Sequence, residues 1–228
     1  DRVLNNTSFI NGPVVNEFQK DLEKFNQVKH VIPCANGTDA LQIALMALDL
    51  KPGDEIITTD FTFISTIEVI ALLRLKPILV DVDINTFNIN PEQIKRAITN
   101  KTKVILPVHI FGQVSDMDEI MKIARNNNII VLEDNAQAIG AIYTNYKGKK
   151  VKSGAIGDIS ATSFFPSKNL GGYGDGGAIF TNNSLLEKKI RAIANHGMFK
   201  RYYHDYVGLN SRLDSIQAAI LKVKLKYL

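Results

Sequence analysis

The sequence predicts an α/β fold of three αβα layers, a mostly parallel sheet covered by helices on both faces. Three observations point there. From Pro13 onward, apolar runs of strand length alternate with segments of helical spacing, and such a βαβα rhythm builds parallel sheets. The strand runs are continuously apolar, as strands buried on both sides require. The chain has 228 residues and 45% hydrophobic content, enough to bury one sizeable core.

Taken in order, Pro13 to Asn26 sets Val14, Val15, Phe18, Leu22 and Phe25 at helical spacing. Val31 to Ala35 is a short apolar run. Thr38 to Leu48 reads as a helix, with Asn36 or Thr38 available as its cap, and Pro52-Gly53-Asp54 as a turn. Strands are expected over Glu55 to Thr58, Pro77 to Asp81, Val104 to Val108 and Ile129 to Glu133. Helices over Thr62 to Leu73, Pro91 to Ile98 and Asp116 to Asn126 separate them. The pattern changes after Tyr143. Lys147 to Gly157 is polar and Gly-rich, and its lysines, Lys147, Lys149, Lys150 and Lys152, read as a solvated loop. Two strands follow, Ile159 to Phe165 and Gly177 to Thr181, joined by a Gly-rich connection. Helices are expected over Ser184 to His196 and from Ile216 to Leu228.

Composition narrows the function classes. The net charge of +4 arises from 27 basic and 23 acidic residues, scattered rather than gathered into the broad stripe that nucleic acid would need. No stretch approaches the ~20 apolar residues of a membrane span. The beginning of the chain lacks the apolar core and small-residue cleavage site of a signal peptide, and it lacks an initiator Met. Cys34 stands alone, which excludes a disulfide framework and a cysteine zinc cluster. The four histidines lack metal-ligand spacing, so no metal site is expected. A cytoplasmic protein is the simplest reading, and in that setting the sequons at Asn36 and Asn182 carry no weight.

Ligands of open parallel sheets bind at the carboxyl ends of the strands, which directs attention to a few residues. Lys168 follows an apolar strand and leads into a Gly-rich turn. Burial in a cleft would lower such an amine's pKa and make it a nucleophile for a Schiff base; a solvated loop lysine is the ordinary alternative. Asp134 ends an apolar strand. It suits a metal, a turn cap, or a protonated pyridine nitrogen in a cofactor ring. The Gly-x-x-x-x-Gly-Lys-Ser/Thr loop of a nucleotide hydrolase is absent. Gly37 and Thr38 stand between strand and helix, where backbone amides bind phosphate. Ser163 offers a further donor, and Phe63 a face to stack on a flat ring; both residues are also ordinary in a strand or a core. The Gly-x-Gly-x-x-Gly at Gly172 to Gly177 is a decoy. A dinucleotide site needs a helix after it, and Ala178-Ile179-Phe180 is a strand.

Five segments then occur in a telling order. They are Cys34-Ala35-Asn36-Gly37-Thr38-Asp39-Ala40-Leu41, Glu133-Asp134-Asn135-Ala136-Gln137, Ser163-Phe164-Phe165-Pro166-Ser167-Lys168, Gly174-Asp175-Gly176-Gly177 and Gly208-Leu209-Asn210-Ser211-Arg212-Leu213-Asp214. Together they resemble the DegT/DnrJ/EryC1/StrS family of sugar-nucleotide aminotransferases, from Phe9 to Ala219. The enzymes that aminate C3 of a UDP-linked 3-keto-hexuronic acid look nearest. The resemblance implies the large domain of the aspartate-aminotransferase type (fold type I) and pyridoxal 5'-phosphate (PLP) as cofactor.

It also implies roles. Lys168 would hold the cofactor as an imine, and Asp134 would pair with its pyridine nitrogen. Gln137 would lie beside the ring hydroxyl and Phe63 over the ring, with Gly37, Thr38 and Ser163 on the phosphate. Asn210 would reach a partner's cofactor phosphate, and Arg212 an acidic group of substrate or donor. A homodimer with shared active sites follows, using glutamate and a nucleotide-linked keto sugar for surface polysaccharide synthesis. Residues 1–228 would be the PLP-binding large domain and the start of the connection to a small C-terminal domain that this chain lacks. Some family members carry histidine in place of the lysine and act as dehydratases; Lys168 favours amino transfer. A dehydratase and a non-catalytic relative remain the alternatives.

Overall fold

The computed structural model describes residues 1–228. One helical turn, α1 (Arg2–Asn5), precedes α2 (Pro13–Asn26). α2 begins on proline, whose fixed φ and missing N–H suit the first turn. It buries Val14, Val15, Phe18 and Leu22 and stops at Gln27, which adopts a left-handed backbone. β1 (His30–Cys34) then leads into α3 (Gly37–Met46). Of the two expected caps, Asn36 serves: its side chain accepts the Asp39 N–H at 2.7 Å, leaving the Thr38 side chain for the pocket described below.

β2 (Glu55–Thr59), α4 (Ser65–Leu72), β3 (Lys76–Val80), α5 (Pro91–Ala97), β4 (Thr102–Ile105), α6 (Met117–Asn127) and β5 (Ile130–Asp134) continue the alternation. A hairpin of β6 (Ile142–Thr144) and β7 (Lys150–Lys152) precedes β8 (Ile159–Ser163) and β9 (Gly177–Thr181). α7 (Ser184–Ala194), the hairpin of β10 (Met198–Lys200) and β11 (Tyr203–His204), and α8 (Ser215–Lys224) complete the chain. No helix is long and apolar enough to cross a membrane.

Seven strands form the central sheet in the order β1-β9-β8-β5-β4-β2-β3. β9 alone runs antiparallel to its neighbours, because residues 164–176 stay at the carboxyl end of β8 and send the chain back. Successive side chains on a strand face opposite sides, and the cores follow that rule. Ile32, Ile56, Leu132 and Ile179 pack with α3, α4 and α7. Their neighbours Val31 and Phe180 pack with α2 and α8, and Ile57 and Val131 with α5 and α6. Helices thus cover both faces.

Two local expectations are corrected. The lysine-rich segment is not an irregular loop: Asn145 accepts the Lys147 and Lys149 N–H groups through its side chain and closes a hairpin turn. Within it Lys147, Lys149 and Lys150 are exposed, while Lys152 lies 3.8 Å over the Phe25 ring. The helix expected from Thr62 begins at Ser65, since the Thr59 hydroxyl accepts the Phe61 N–H and holds residues 59–61 in a turn. The β10–β11 hairpin, which no expectation covered, forms within a polar, aromatic stretch that carries no period-2 signal.

Candidate active site

The carboxyl ends of β1, β2, β5 and β8 lie at one edge of the sheet. There they enclose a pocket of about 390 Å³ lined by Gly37, Thr38, Phe63, Asp134, Gln137, Ser163 and Lys168 among others. Seven of the nine residues singled out in the sequence therefore meet, from four separate segments. Asn210 and Arg212 do not line it. Asn210 is exposed, in an isolated bridge with Asn195. Arg212 is half-buried and joins none of the chain's ion pairs.

Lys168 is presented by a tight turn. Its N–H donates to Phe165 O at 2.9 Å, and Gly172 N–H reaches back to Phe164 O at 2.8 Å. A side chain at Gly171 would put its Cβ 2.3 Å from Pro166 O, so the return of this loop requires glycine there. Phe164 anchors the turn, fully buried and edge-on to Phe18 at 5.5 Å.

Asp134 is 5% exposed. Its backbone is fixed on both sides: its N–H donates to Pro107 O at 2.9 Å and its carbonyl accepts from His109 N–H at 3.1 Å. Oδ2 accepts the Thr66 hydroxyl at 2.9 Å and Oδ1 the Ala136 N–H at 3.2 Å. Burial pushes this carboxyl above the usual carboxylate range. The Thr66 hydroxyl, the Ala136 amide, the His109 ring and the Lys168 ammonium all pull it back down. One residue earlier, Glu133 is fully buried and turned elsewhere. It accepts His109 Nε2 at 2.9 Å and the N–H groups of Gly154, Ile156 and Gly157.

Gln137 is oriented by Phe111, whose N–H donates to Oε1 at 2.7 Å. The amide nitrogen of Gln137 is left as the donor. Phe111 holds a left-handed backbone, φ 54°, so the bond comes at some conformational cost. At the start of α3, Gly37 lies so close to the end of β8 that a Cβ would sit 2.7 Å from Ser163 Cβ. Gly37, Thr38 and Ser163 therefore form one polar cradle at a helix N-terminus. Phe63 lines the opening and is 67% exposed.

Sequence reasoning missed Thr62, Ser65, Thr66 and Asp175. Thr62, Ser65 and Asp175 line the pocket, and Thr66 supports it from behind. Hydroxyl residues just before and within the first turn of an otherwise apolar α4 were the available signal for the first three.

A three-layer sheet with a lysine and a buried carboxylate converging at its carboxyl edge defines the class: the large domain of the PLP-dependent aspartate-aminotransferase type. The model of the DegT/DnrJ/EryC1/StrS aminotransferase family matches residues 1–228, and the chain belongs to that family. It is 52% identical over 225 residues to a UDP-2-acetamido-2-deoxy-3-oxo-D-glucuronate aminotransferase of Pseudomonas aeruginosa, covering 99% of this chain and 61% of the relative. It is 50% identical to a pleiotropic regulatory protein of Geobacillus stearothermophilus, covering 100% of this chain and 60% of the relative. The chain thus spans about 60% of the length of these relatives. Among solved structures, a family aminotransferase from Brucella abortus matches with a TM-score of 0.94 and 42% identity over 99% of this chain and 61% of that one. NtdA of Bacillus subtilis, with bound cofactor PMP, matches with a TM-score of 0.91 and 38% identity over 100% of this chain and 51% of that one.

Proposed function

We propose that the chain is the PLP-binding large domain of an aminotransferase that moves an amino group from glutamate to a ketone on a nucleotide-linked sugar. The observation that carries this reading is the meeting, in one pocket, of a lysine amine, a buried carboxylate and a polar cradle at a helix N-terminus. The relative from Pseudomonas favours a UDP-linked 3-keto-hexuronic acid. An activated sugar of that kind suits a cytoplasmic step toward surface polysaccharide or lipopolysaccharide.

The donor set fits a phosphorylated pyridine aldehyde. Asp134 is an anion that burial disfavours, and a protonated pyridine nitrogen supplies the cation it lacks. Gly37, Thr38 and Ser163 offer an uncharged cradle for a phosphate. When bound, PLP supplies the electron sink that makes the carbon–hydrogen bond beside an amine acidic. Lys168 Nζ would hold the cofactor and, when free, would carry a proton. Asp134 keeps the ring nitrogen protonated throughout. Gln137, with Oε1 held by Phe111, has its amide donor free for the ring hydroxyl, and Phe63 would cover the ring. Lysine at 168 gives no support to the dehydratase alternative.

A homodimer completes the reading. Asn210 and Arg212 do not line their own pocket, which suits residues that serve a partner's cofactor phosphate and an acidic substrate group. Phe61, Phe87 and Phe111 are exposed, with Phe87 tilted and Phe111 edge-on against Phe61 at ring centroids 5.6 and 6.0 Å apart, a surface that suits burial against a second copy.

Spectroscopy on the full-length protein tests this. Added PLP should give the visible band of lysine-bound cofactor. Glutamate should discharge that band and release 2-oxoglutarate, and a Lys168→Ala protein should show no band. A second reading, a non-catalytic relative, draws on the regulatory name of the 50% identical Geobacillus protein. A band that glutamate leaves unchanged would favour it. No band at all would reduce the kinship to fold.

A further inference from the structure

Behind the pocket wall, two hydroxyls connect Asp134 to the open space of the site. The Thr66 hydroxyl lies 2.9 Å from Asp134 Oδ2, and the Thr62 hydroxyl 2.8 Å from that of Thr66. Thr66 is fully buried in the first turn of α4, whereas Thr62 is half-buried and lines the pocket. Their spacing in sequence places both on one side of the turn that follows β2.

The polarity of this chain is fixed by counting protons. An ionised carboxylate only accepts, so the single proton of Thr66 points to Oδ2. Thr66 must then accept from Thr62, whose own proton is used. The Thr62 oxygen is left with acceptor capacity alone at the pocket wall. Hydrogen bonds arranged head to tail strengthen one another in a low-dielectric interior, and a bond to a charged acceptor is the strong kind.

We propose that Thr62 and Thr66 form a one-way hydroxyl relay that holds the Asp134 carboxylate ionised and in one orientation against the pyridine nitrogen of the cofactor. Thr66 is thus a positioning residue acting through Asp134, and Thr62 the relay's end at the pocket wall. The proposal rests on the PLP reading above. Protonation of Asp134 on Oδ2 reverses both bonds and turns a donor into the pocket at Thr62. The relay therefore opposes that protonation, because it works at full strength only on the anion. The other groups facing Asp134 are Lys168 from the lysine turn and His109 from the segment after β4. The neighbouring carboxylate, Glu133, is already engaged by His109 Nε2 and three backbone amides. A change at Thr66 touches none of these.

The test is PLP titration of the full-length protein across acid pH, read by the visible band. Thr66→Val keeps the shape and removes the donor. It should weaken cofactor binding by roughly tenfold and move the acid limb of affinity up by about one pH unit, the size of one charge-assisted bond. Thr66→Ser keeps the hydroxyl and should restore both. A packing role predicts the opposite order, with Val harmless and Ser costly. Thr62→Val, half-buried and tolerant of change, should move the same limb in the same direction by less. An unshifted limb in either valine variant, or Ser as damaging as Val at 66, overturns the relay. A wild-type protein that gives no band with PLP overturns the cofactor reading itself, and the relay with it.

Discussion

Ser211 Oγ donates to Asp39 Oδ2 at 2.6 Å and accepts the Ala35 N–H at 3.0 Å. Ser211 is 1% exposed and stands between Asn210 and Arg212. The segment proposed to serve a partner's site is thereby fastened to the turn that carries Gly37 and Thr38. Ser211→Ala strands a carboxylate and an amide, a loss of about 2 kcal/mol and about 4–8 °C in melting temperature. PLP affinity should fall with it, because the cradle turn loses its brace. Thermal melts and a PLP titration check both. An unchanged affinity in a destabilised protein would separate the brace from the cradle.

Gly37 is the least replaceable residue of the cradle. A Cβ there would stand 2.7 Å from Ser163 Cβ and 3.1 Å from Ser163 Oγ, well inside contact distance. Either α3 or β8 must shift. Gly37→Ala should cost about 1–3 kcal/mol and weaken PLP binding by at least about tenfold, measured by denaturant unfolding and by PLP titration. Wild-type affinity would place the phosphate elsewhere.

Much of this could be read from the chain because the decisive signals were local. The alternation of apolar runs was enough for the layered sheet, and strand-end positions drew attention to Lys168, Asp134 and Gly37, each of which kept an ordinary alternative until the five ordered segments were taken together. What escaped depends on contacts across long sequence separation. Thr66 meets Asp134 across 68 residues and Ser211 meets Asp39 across 172, and neither pairing leaves a mark on its neighbours in sequence. The β6–β7 hairpin was hidden by its lysines. Those charges suit a solvated loop, and the strand signal of three residues on each side is too short to oppose them. The antiparallel course of β9 depends on how residues 164–176 fold back, which composition does not disclose.

Asp134 should trade stability for function. Its carboxyl is raised by burial. A carboxyl raised in the fold contributes stability below its unfolded value and surrenders it as pH rises through its folded value. Above the unfolded value the cofactor-free protein therefore loses that stability, because burial disfavours the ionised carboxylate. Asp134→Asn should raise its melting temperature at pH 7 by about 2–4 °C, equivalent to about 1 kcal/mol. The gain should shrink as the pH falls toward that of an ordinary carboxyl. With saturating PLP the order should reverse, since only the wild type gains from the cofactor's ring nitrogen. Melting curves at two pH values, with and without PLP, decide it; a variant less stable in all four would mean that the carboxylate is structural.

Gln217 extends the site to α8. Its Oε1 accepts the Tyr173 N–H at 2.7 Å, and a Cβ at Gly172 or Gly174 would meet its amide at 2.8 or 3.0 Å. Lys224, two turns on, donates to Gly171 O. One face of α8 thus grips the loop that closes the Lys168 turn. Gln217→Ala frees one backbone amide in an exposed loop, so stability should drop by no more than about 1 kcal/mol. Placement of the Lys168 amine should suffer more, because a displacement of about 1 Å at a reacting group costs about a hundredfold in rate. The visible band should form at least about tenfold more slowly after PLP is added. Gln217→Glu, which keeps the acceptor for Tyr173, should recover most of that rate. Gly174→Ala should mimic the alanine variant from the other side of the contact, by pushing the amide away. Band formation at the wild-type rate in both the Gln217→Ala and Gly174→Ala proteins would mean that the lysine turn is held by Phe164 and Gly171 without help from α8.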